Sequence, residues 1–376
     1  MTEMAYSERG SIMIVSIWIL MILSLLAIGL AFRSSIELKL AAFHMNTSKA
    51  FYAARGAVVV ALGEKEREYI EGKSLQIDAL SEGWSRNEEV LKSIDIGECK
   101  AAVKYDYIED PSEEPVVFYG MQDEYARINI NEAPFGTLKG LIHAFLDDED
   151  DAAGIAGNII DWRDEDNTPT EDGEGRIVGL EDYANLEKGY GPKNQRFRSA
   201  EELLLVEGVT DDLFSEIKDY ITIFGDGKIN INTANRVCLD SLFGEAYASL
   251  GDKIVSWRNG VDGEPGTPDD RWFTKGPLTV IESEHGMVAV KNVDDEQWLD
   301  PFAGVTSLEW ARVKALKDGI RSGSNIYRVK AEASVRGITK KVEAVIEFED
   351  LAGDMVSGEE VSNKRREYSY LQWREE

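Results

Sequence analysis

Two acidic stretches hold the side chains best suited to chemistry. Asp164-Glu165-Asp166-Asn167 sets carboxylates at alternate positions, and Glu171, Asp172, Glu174, Glu181 and Asp182 follow within one Gly-containing stretch. Calcium takes about six to eight oxygen ligands at about 2.3–2.6 Å, drawn from flexible loops and completed by backbone carbonyls. The stretch supplies such donors; the plainer reading is a solvated acidic loop. Asp262, Glu264, Asp269 and Asp270 form a second, weaker candidate for Ca²⁺. It is not an EF-hand, because Asp262-Gly263-Glu264 lacks the twelve-residue ligand spacing. The loop from Asn292 to Asp300 reads as surface.

No catalytic constellation emerges. His44, His143 and His285 are widely spaced, and neither a Gly-rich phosphate loop nor Gly-x-Ser-x-Gly occurs. Acidic clusters can also hold Mg²⁺ for phosphodiester cleavage, so a membrane-anchored metal-dependent nuclease is one alternative. Against it, 70 Asp plus Glu face 41 Lys plus Arg, a net charge of −29 that repels nucleic acid. The hydrophobic share of 43% and eight Trp exclude a chain disordered throughout. Cys99 and Cys238 are the only cysteines: they can pair in an oxidising compartment or sit apart as buried thiols.

The elements that position the acidic loops form an internal repeat. Arg127-Ile128-Asn129-Ile130-Asn131-Glu132-Ala133 recurs as Lys228-Ile229-Asn230-Ile231-Asn232-Thr233-Ala234. Each copy leads into a helix, then an apolar-Trp-Arg segment, then an acidic loop with Thr-Pro. Asn131 in the first copy, and Asn232 or Thr233 in the second, are placed to cap the following helix. Between the copies, Ser199 to Gly225 reads as two helices: Ser199 and Glu202 have capping-box spacing, Gly208 ends the first, and Asp211 or Asp212 starts the second. This resembles a helix-hairpin-helix element, but without a Lys or Arg at the turn it is a structural hairpin and not a DNA site.

Around the repeats lie strands. Glu98 to Tyr107 alternates as a half-buried strand and pairs in a hairpin with Pro115 to Gly120. Ile326 to Arg336 and Ile338 to Phe348 form two strands joined tightly at Gly337, and Glu367 to Glu376 adds one more. The C-terminus thus completes the sheet begun near Glu98, which makes the repeats an insertion.

All of this follows an uncharged run after Arg9-Gly10-Ser11 that ends at Arg33. About 22 helical residues span roughly 33 Å, enough to cross a bilayer. Apolar positions at three- and four-residue spacing then continue to about Tyr69, which predicts one long helix from Ser11, although Gly56 could break it. A short leader, a Gly and an immediate apolar helix resemble a type IV prepilin signal, with cleavage by a prepilin peptidase between Gly10 and Ser11. An ordinary signal anchor is the alternative. The leader departs from the pattern in carrying Glu3 and Glu8, so orientation leans on the resemblance. Val15 stands where most such chains have Glu, a residue retained only where a partner is available.

The chain as a whole resembles protein K of the type II secretion system, the large minor pseudopilin. The resemblance rests on Gly10, the absence of Glu at Val15, Phe51-Tyr52-Ala53-Ala54-Arg55-Gly56, Asn129-Ile130-Asn131 and Asp161-Trp162-Arg163-Asp164-Glu165-Asp166. Glu181-Asp182-Tyr183, Glu201-Glu202-Leu203, Val206-Glu207-Gly208, Asn230-Ile231-Asn232-Thr233-Ala234 and Trp373-Arg374-Glu375 complete it.

The resemblance implies an α+β fold: a pilin-like long N-terminal helix with an antiparallel sheet, carrying an all-α insertion of SAM-like, helix-hairpin-helix repeats. Its parts would be a leader (1–10), a transmembrane helix (11–32), spine and first strands (33–126), the insertion (127–310) and C-terminal strands (311–376). It implies a non-enzymatic tip subunit of the pseudopilus, partnered by I- and J-type pseudopilins, serving export across the outer membrane. The chain would sit in the inner membrane with its soluble part in the periplasm and bind no nucleic acid. A structural Ca²⁺ in the helical domain is also implied, with Asp164, Asp166, Glu181 and Asp182 as the set matching the family pattern. A minor pilin of a type IV pilus or DNA-uptake system is the other alternative.

Overall fold

The structure, a computed structural model, describes residues 9–70, 77–180, 189–274, 281–283, 286–288, 290–292, 305–348 and 367–375. The apolar run and the amphipathic segment after it form one unbroken helix, α1, Arg9–Ile70, of 62 residues. Residues 12–45 are exposed along their whole length, whereas Ala50, Ala53, Ala54, Ala57, Val58, Ala61 and Leu62 are buried. These small residues recur at helical spacing on one face and let the sheet approach the helix axis. Gly56 does not break the helix. A Cβ there would stand 3.1 Å from Ile96 Cδ1, so the glycine makes room for the neighbouring strand.

A short helix α2 (Glu88–Leu91) leads to β1 (Ile94–Ile96), β2 (Cys99–Val103), β3 (Tyr105–Tyr107), β4 (Val116–Phe118) and β5 (Gln122–Asp123). The insertion begins with β6 (Ile128–Asn129), α3 (Phe135–His143), α4 (Glu149–Arg163), α5 (Asp211–Ile217) and β7 (Ile221–Thr222). It continues through β8 (Ile229–Asn230), α6 (Arg236–Phe243), α7 (Ala248–Arg258), β9 (Trp272–Thr274), β10 (Ile281–Ser283), β11 (Gly286–Val288) and β12 (Val290–Asn292). After α8 (Ser307–Ala315) and β13 (Ile320–Arg321) the chain returns to the sheet as β14 (Ile326–Val335), β15 (Ile338–Phe348) and β16 (Tyr368–Glu375).

The sheet is antiparallel in the order β1-β2-β14-β15-β16, with β5 also on β14. The C-terminal strands therefore close the sheet begun near Glu98, as expected. Arg336 and Gly337, at φ 49 and 82, make the two-residue turn between β14 and β15. The expected strand from Glu98 to Tyr107 is instead broken at Lys104: β2 stays in the main sheet, and only β3 forms the hairpin with β4.

The insertion is helical but not purely so. β6 pairs with β7 and β8 with β13, each in parallel, and they fasten the two repeats. The expected boundary at 310 falls inside α8, and the insertion closes at Arg321, where β13 meets β8. Its core, from Ile128 to Ile320, is separate from the core between α1 and the sheet. Cys99 lies in the sheet core and Cys238 in the insertion core, both as free thiols.

The repeated asparagines do not cap helices. Asn131 Nδ2 donates to Phe197 O while Phe197 N–H donates back to Asn131 Oδ1. Asn232 makes the same two-way clamp on Phe273. Asn129 and Asn230 accept the N–H of the second Asn in their copy. Helix α6 is capped by Asn235, whose side chain accepts from Cys238 N–H, and α3 begins at Pro134 without a side-chain cap. In each copy the closing arginine, Arg163 or Arg258, donates to carbonyls of the same segment, including Ala133 or Ala234.

The expected first helix of the hairpin is a 3₁₀ turn, Ala200–Leu205, and its Ser199 makes no capping bond. Glu202, the other half of the expected box, accepts from Arg198 N–H and Lys193. Helix α5 is capped by Thr210, one residue before the expected start.

Candidate metal centre

The first acidic loop leaves the C-terminal end of α4. Asp148 caps the helix by accepting from Asp150 and Asp151 N–H, and Asp164 closes it through N–H to Ile160 O. Ala152, Ala156, Ile159 and Trp162 bury one face and Arg163 ties the last turn to Ala133 O, so Asp161 and Asp164 are set by a packed helix end.

Asp161 is fully buried and points into the loop. Its Oδ1 accepts from Thr170 N–H at 2.9 Å and from the Thr170 hydroxyl. The loop lies flush on α4 through two glycines. A Cβ on Gly179 would stand 2.0 Å from Asp161 Oδ2, and one on Gly157 would stand 2.7 Å from Gly179 N.

Among the described residues, Asp164 Oδ1 and Asn194 Oδ1 are buried without a hydrogen-bond partner, and Asp161 Oδ2 is buried with only the Leu180 N–H beside Asp161 to answer it. Asn194 belongs to the same loop, because its Nδ2 donates to Asp166 O at 2.8 Å. Burial raises the pKa of both Asp161 and Asp164, and the charge of Asp166 raises each further. Buried polar atoms in native proteins are nearly always satisfied. Such under-satisfied acceptors, carboxylate oxygens among them, fit an oxygen-seeking cation such as Ca²⁺.

Of the expected set, Asp164 and Asp166 are brought together here, while Glu181 and Asp182 lie outside the described residues. Among the described residues no group of three or more His, Cys, Asp and Glu stands ready to hold a metal ion. Asp166 is exposed, and its Oδ1 accepts from Thr168 N–H at 2.7 Å. Asp161 and Asn194 went unselected in the sequence. Asp161 was accessible to pattern reading, since three residues before Asp164 on a helix puts both on one face. Asn194 carried no local signal. Asp172 is a staple of the loop: it accepts from Glu174 and Arg176 N–H and pairs with Arg176 Nε at 2.7 Å, bonds that hold its pKa down.

The second loop is satisfied by its own backbone. Asp269 Oδ2 accepts from Val261 N–H at 2.6 Å and Oδ1 from the Thr267 hydroxyl at 2.8 Å, which lowers its pKa to about 2. Asp270 accepts from Gly266 N–H at 2.9 Å, and burial pushes it up to about 7. Asp262 accepts from Glu264 N–H at 2.9 Å. Outside the loop, Arg86 donates to Pro265 O at 2.9 Å. These bonds brace the turn from within, and Glu264 contributes a backbone N–H to it.

At the other end of the molecule, Gly10 and Ser11 lie in the first turns of α1. Val15 is 54% exposed in a segment whose other large apolar side chains, from Ile12 to Phe32, are exposed too. The described helix Ile12–Glu68 has the length and composition to cross a membrane. His44 is exposed on the same helix.

Residues 120–226 match the family model of type II secretion system (T2SS) protein K. That span begins at the last turn before β5 and ends after β7, so it contains the whole first acidic loop. The comparison with curated proteins gives no match. Among solved structures, a chain of the GspK-GspI-GspJ complex from the enterotoxigenic Escherichia coli type 2 secretion system is similar in fold. The likeness has a TM-score of 0.57 at 17% identity, over 92% of this chain and 99% of that one.

Proposed function

We propose that this chain, a type II secretion system protein K by its matched segment and its fold, works as a minor pseudopilin at the tip of the secretion pseudopilus. The observation that carries the reading is α1, one 62-residue helix that is exposed and apolar over its first half and forms one wall of the sheet core in its second. Such a spine joins a membrane segment rigidly to a folded head. Its partners in this reading are I- and J-type minor pseudopilins, and its role is in protein export across the outer membrane. In this reading the first half of the helix sits in the inner membrane and the head in the periplasm.

Two features favour the summit over the shaft. The insertion makes the head broad, and Val15 offers no carboxylate to a subunit above it. A Ca²⁺ ion held by Asp161, Asp164 and Asp166, with Glu181 and Asp182, would stiffen the insertion by satisfying its orphaned oxygens. The reading assigns no catalysis to the chain. Co-expression with a prepilin peptidase tests it: the mature chain is expected to begin at Ser11 by mass spectrometry. A chain that keeps Met1 beside an active peptidase would overturn the assignment to the pseudopilins.

A further inference from the structure

The insertion and the sheet have separate apolar cores, and polar ties cross between them beside smaller apolar contacts. Apolar contact at the seam includes a small cluster of Tyr125, Ile326 and Val345, with Phe224 against it. At one end of the seam Asp123 is buried and takes four hydrogen bonds. They come from Tyr125 N–H, the Ser324 and Thr233 hydroxyls and Asn230 Nδ2, at 2.6 to 2.8 Å. These donors span the exit from the sheet, the second repeat and the return to the sheet, and water does not reach them.

The other end differs. Three strands across from β5, about 14 Å by the usual strand spacing, Arg374 of β16 donates from Nη1 and Nη2 to the two oxygens of Glu201 at 2.7 and 3.1 Å. Glu201 belongs to the insertion. The two side chains are 41% and 48% exposed, so salt screens their attraction. β16 has an independent hold on the spine, because the Arg55 guanidinium lies 5.2 Å over the Trp373 ring. Losing the pair would therefore release the Ala200–Leu205 edge of the insertion without freeing the strand, while buried ties such as Thr222 to Glu124 keep the insertion fixed near the pivot.

We propose that Arg374–Glu201 is a salt-sensitive latch that holds the helical insertion against the sheet, with the buried Asp123 hub as its fixed pivot. The latch sets how far the broad part of the head can swing relative to the spine.

Hydrogen exchange of the full chain in detergent micelles tests this, at about 0.01 M and about 1 M salt, where the screening length falls from about 30 Å to about 3 Å. In the wild type, amides 200–217 are expected to exchange about two- to fivefold faster at high salt, the size an exposed bidentate pair supports. E201R should reach that rate at low salt and lose the salt dependence, and E201R/R374E should restore wild-type protection. The Ile231 amide, bonded to Arg321 O beside the pivot, should not change. Equal protection of 200–217 in wild type and E201R, or faster exchange at Ile231 as well, would overturn the latch. If E201R fails to fold, R374Q gives the same reading, and unchanged protection in it would count equally against the proposal.

Discussion

Arg374, in the last strand, and Glu201, in the 3₁₀ turn of the insertion, meet in a two-pronged ion pair 173 residues apart in sequence. The hydrogen bonds from Arg374 hold the Glu201 carboxyl down to about 2. The C-terminal strand thus touches all three parts of the head: β15 through its ladder, α1 through Arg55, and the insertion through Glu201.

Ending the chain at Arg366 removes that strand and bares the edge of β15. An open edge is a template for pairing with another chain. The loss of half-buried Trp373 alone costs about 1–2 kcal/mol. The truncated protein should melt several degrees lower and associate as its concentration rises in sedimentation. An unchanged melting temperature and a monomer at all concentrations would show that the strand is an ornament.

Glu124 makes the head acid-sensitive. Burial alone would raise its pKa, but Arg328, with Arg127 behind it, lowers it from the usual 4.5 to about 2. A carboxylate depressed by folding contributes stability above its unfolded value and loses it as pH falls toward the folded one. The contribution is about 3 kcal/mol, lost between about pH 5 and pH 2. Urea midpoints across that range should fall for the wild type and fall less for Glu124→Gln. Parallel curves would contradict the assignment.

The two acidic loops should respond differently to metal. Ca²⁺ is expected to raise the melting temperature of the wild type. Asp161→Asn and Asp164→Asn should reduce or abolish that increment. Asp269→Asn should lower the melting temperature in chelator, because its backbone bonds weaken, yet keep the increment. Gly179→Ala, which drives a methyl against Asp161 Oδ2, should cost about 1–3 kcal/mol by overpacking. A calcium increment lost with Asp269 and kept with Asp161 would move the site to the second loop.

Much of the fold was legible where the signal is local and periodic. The spine followed from an uncharged run continued by three- and four-residue spacing, and β14, β15 and β16 followed from alternation and the tight turn at Gly337. What stayed hidden was decided by distant partners. Asn131 looked like a helix cap because it precedes α3, but Phe197, 66 residues on, satisfies its side chain from both directions. Ser199 and Glu202 carried capping-box spacing, yet Glu202 is drawn to Lys193 and Arg198, and the turn winds as a 3₁₀ helix. The break at Lys104 was invisible because alternation runs through it; its N–H bonds Lys330 O at the point where the chain leaves the main sheet. In the candidate metal centre, Asp164 and Asp166 were singled out from alternating carboxylates and the family pattern, but Asp161 was read as part of a motif and not as a ligand. Its importance lies in a buried oxygen that composition does not reveal.

The account as a whole stands on assembly. Full-length protein should co-purify from detergent with I- and J-type minor pseudopilins when Ca²⁺ is present, and the complex should weaken in chelator. No complex with either partner, in Ca²⁺ or in chelator, from material shown to be folded, would contradict the tip-subunit reading.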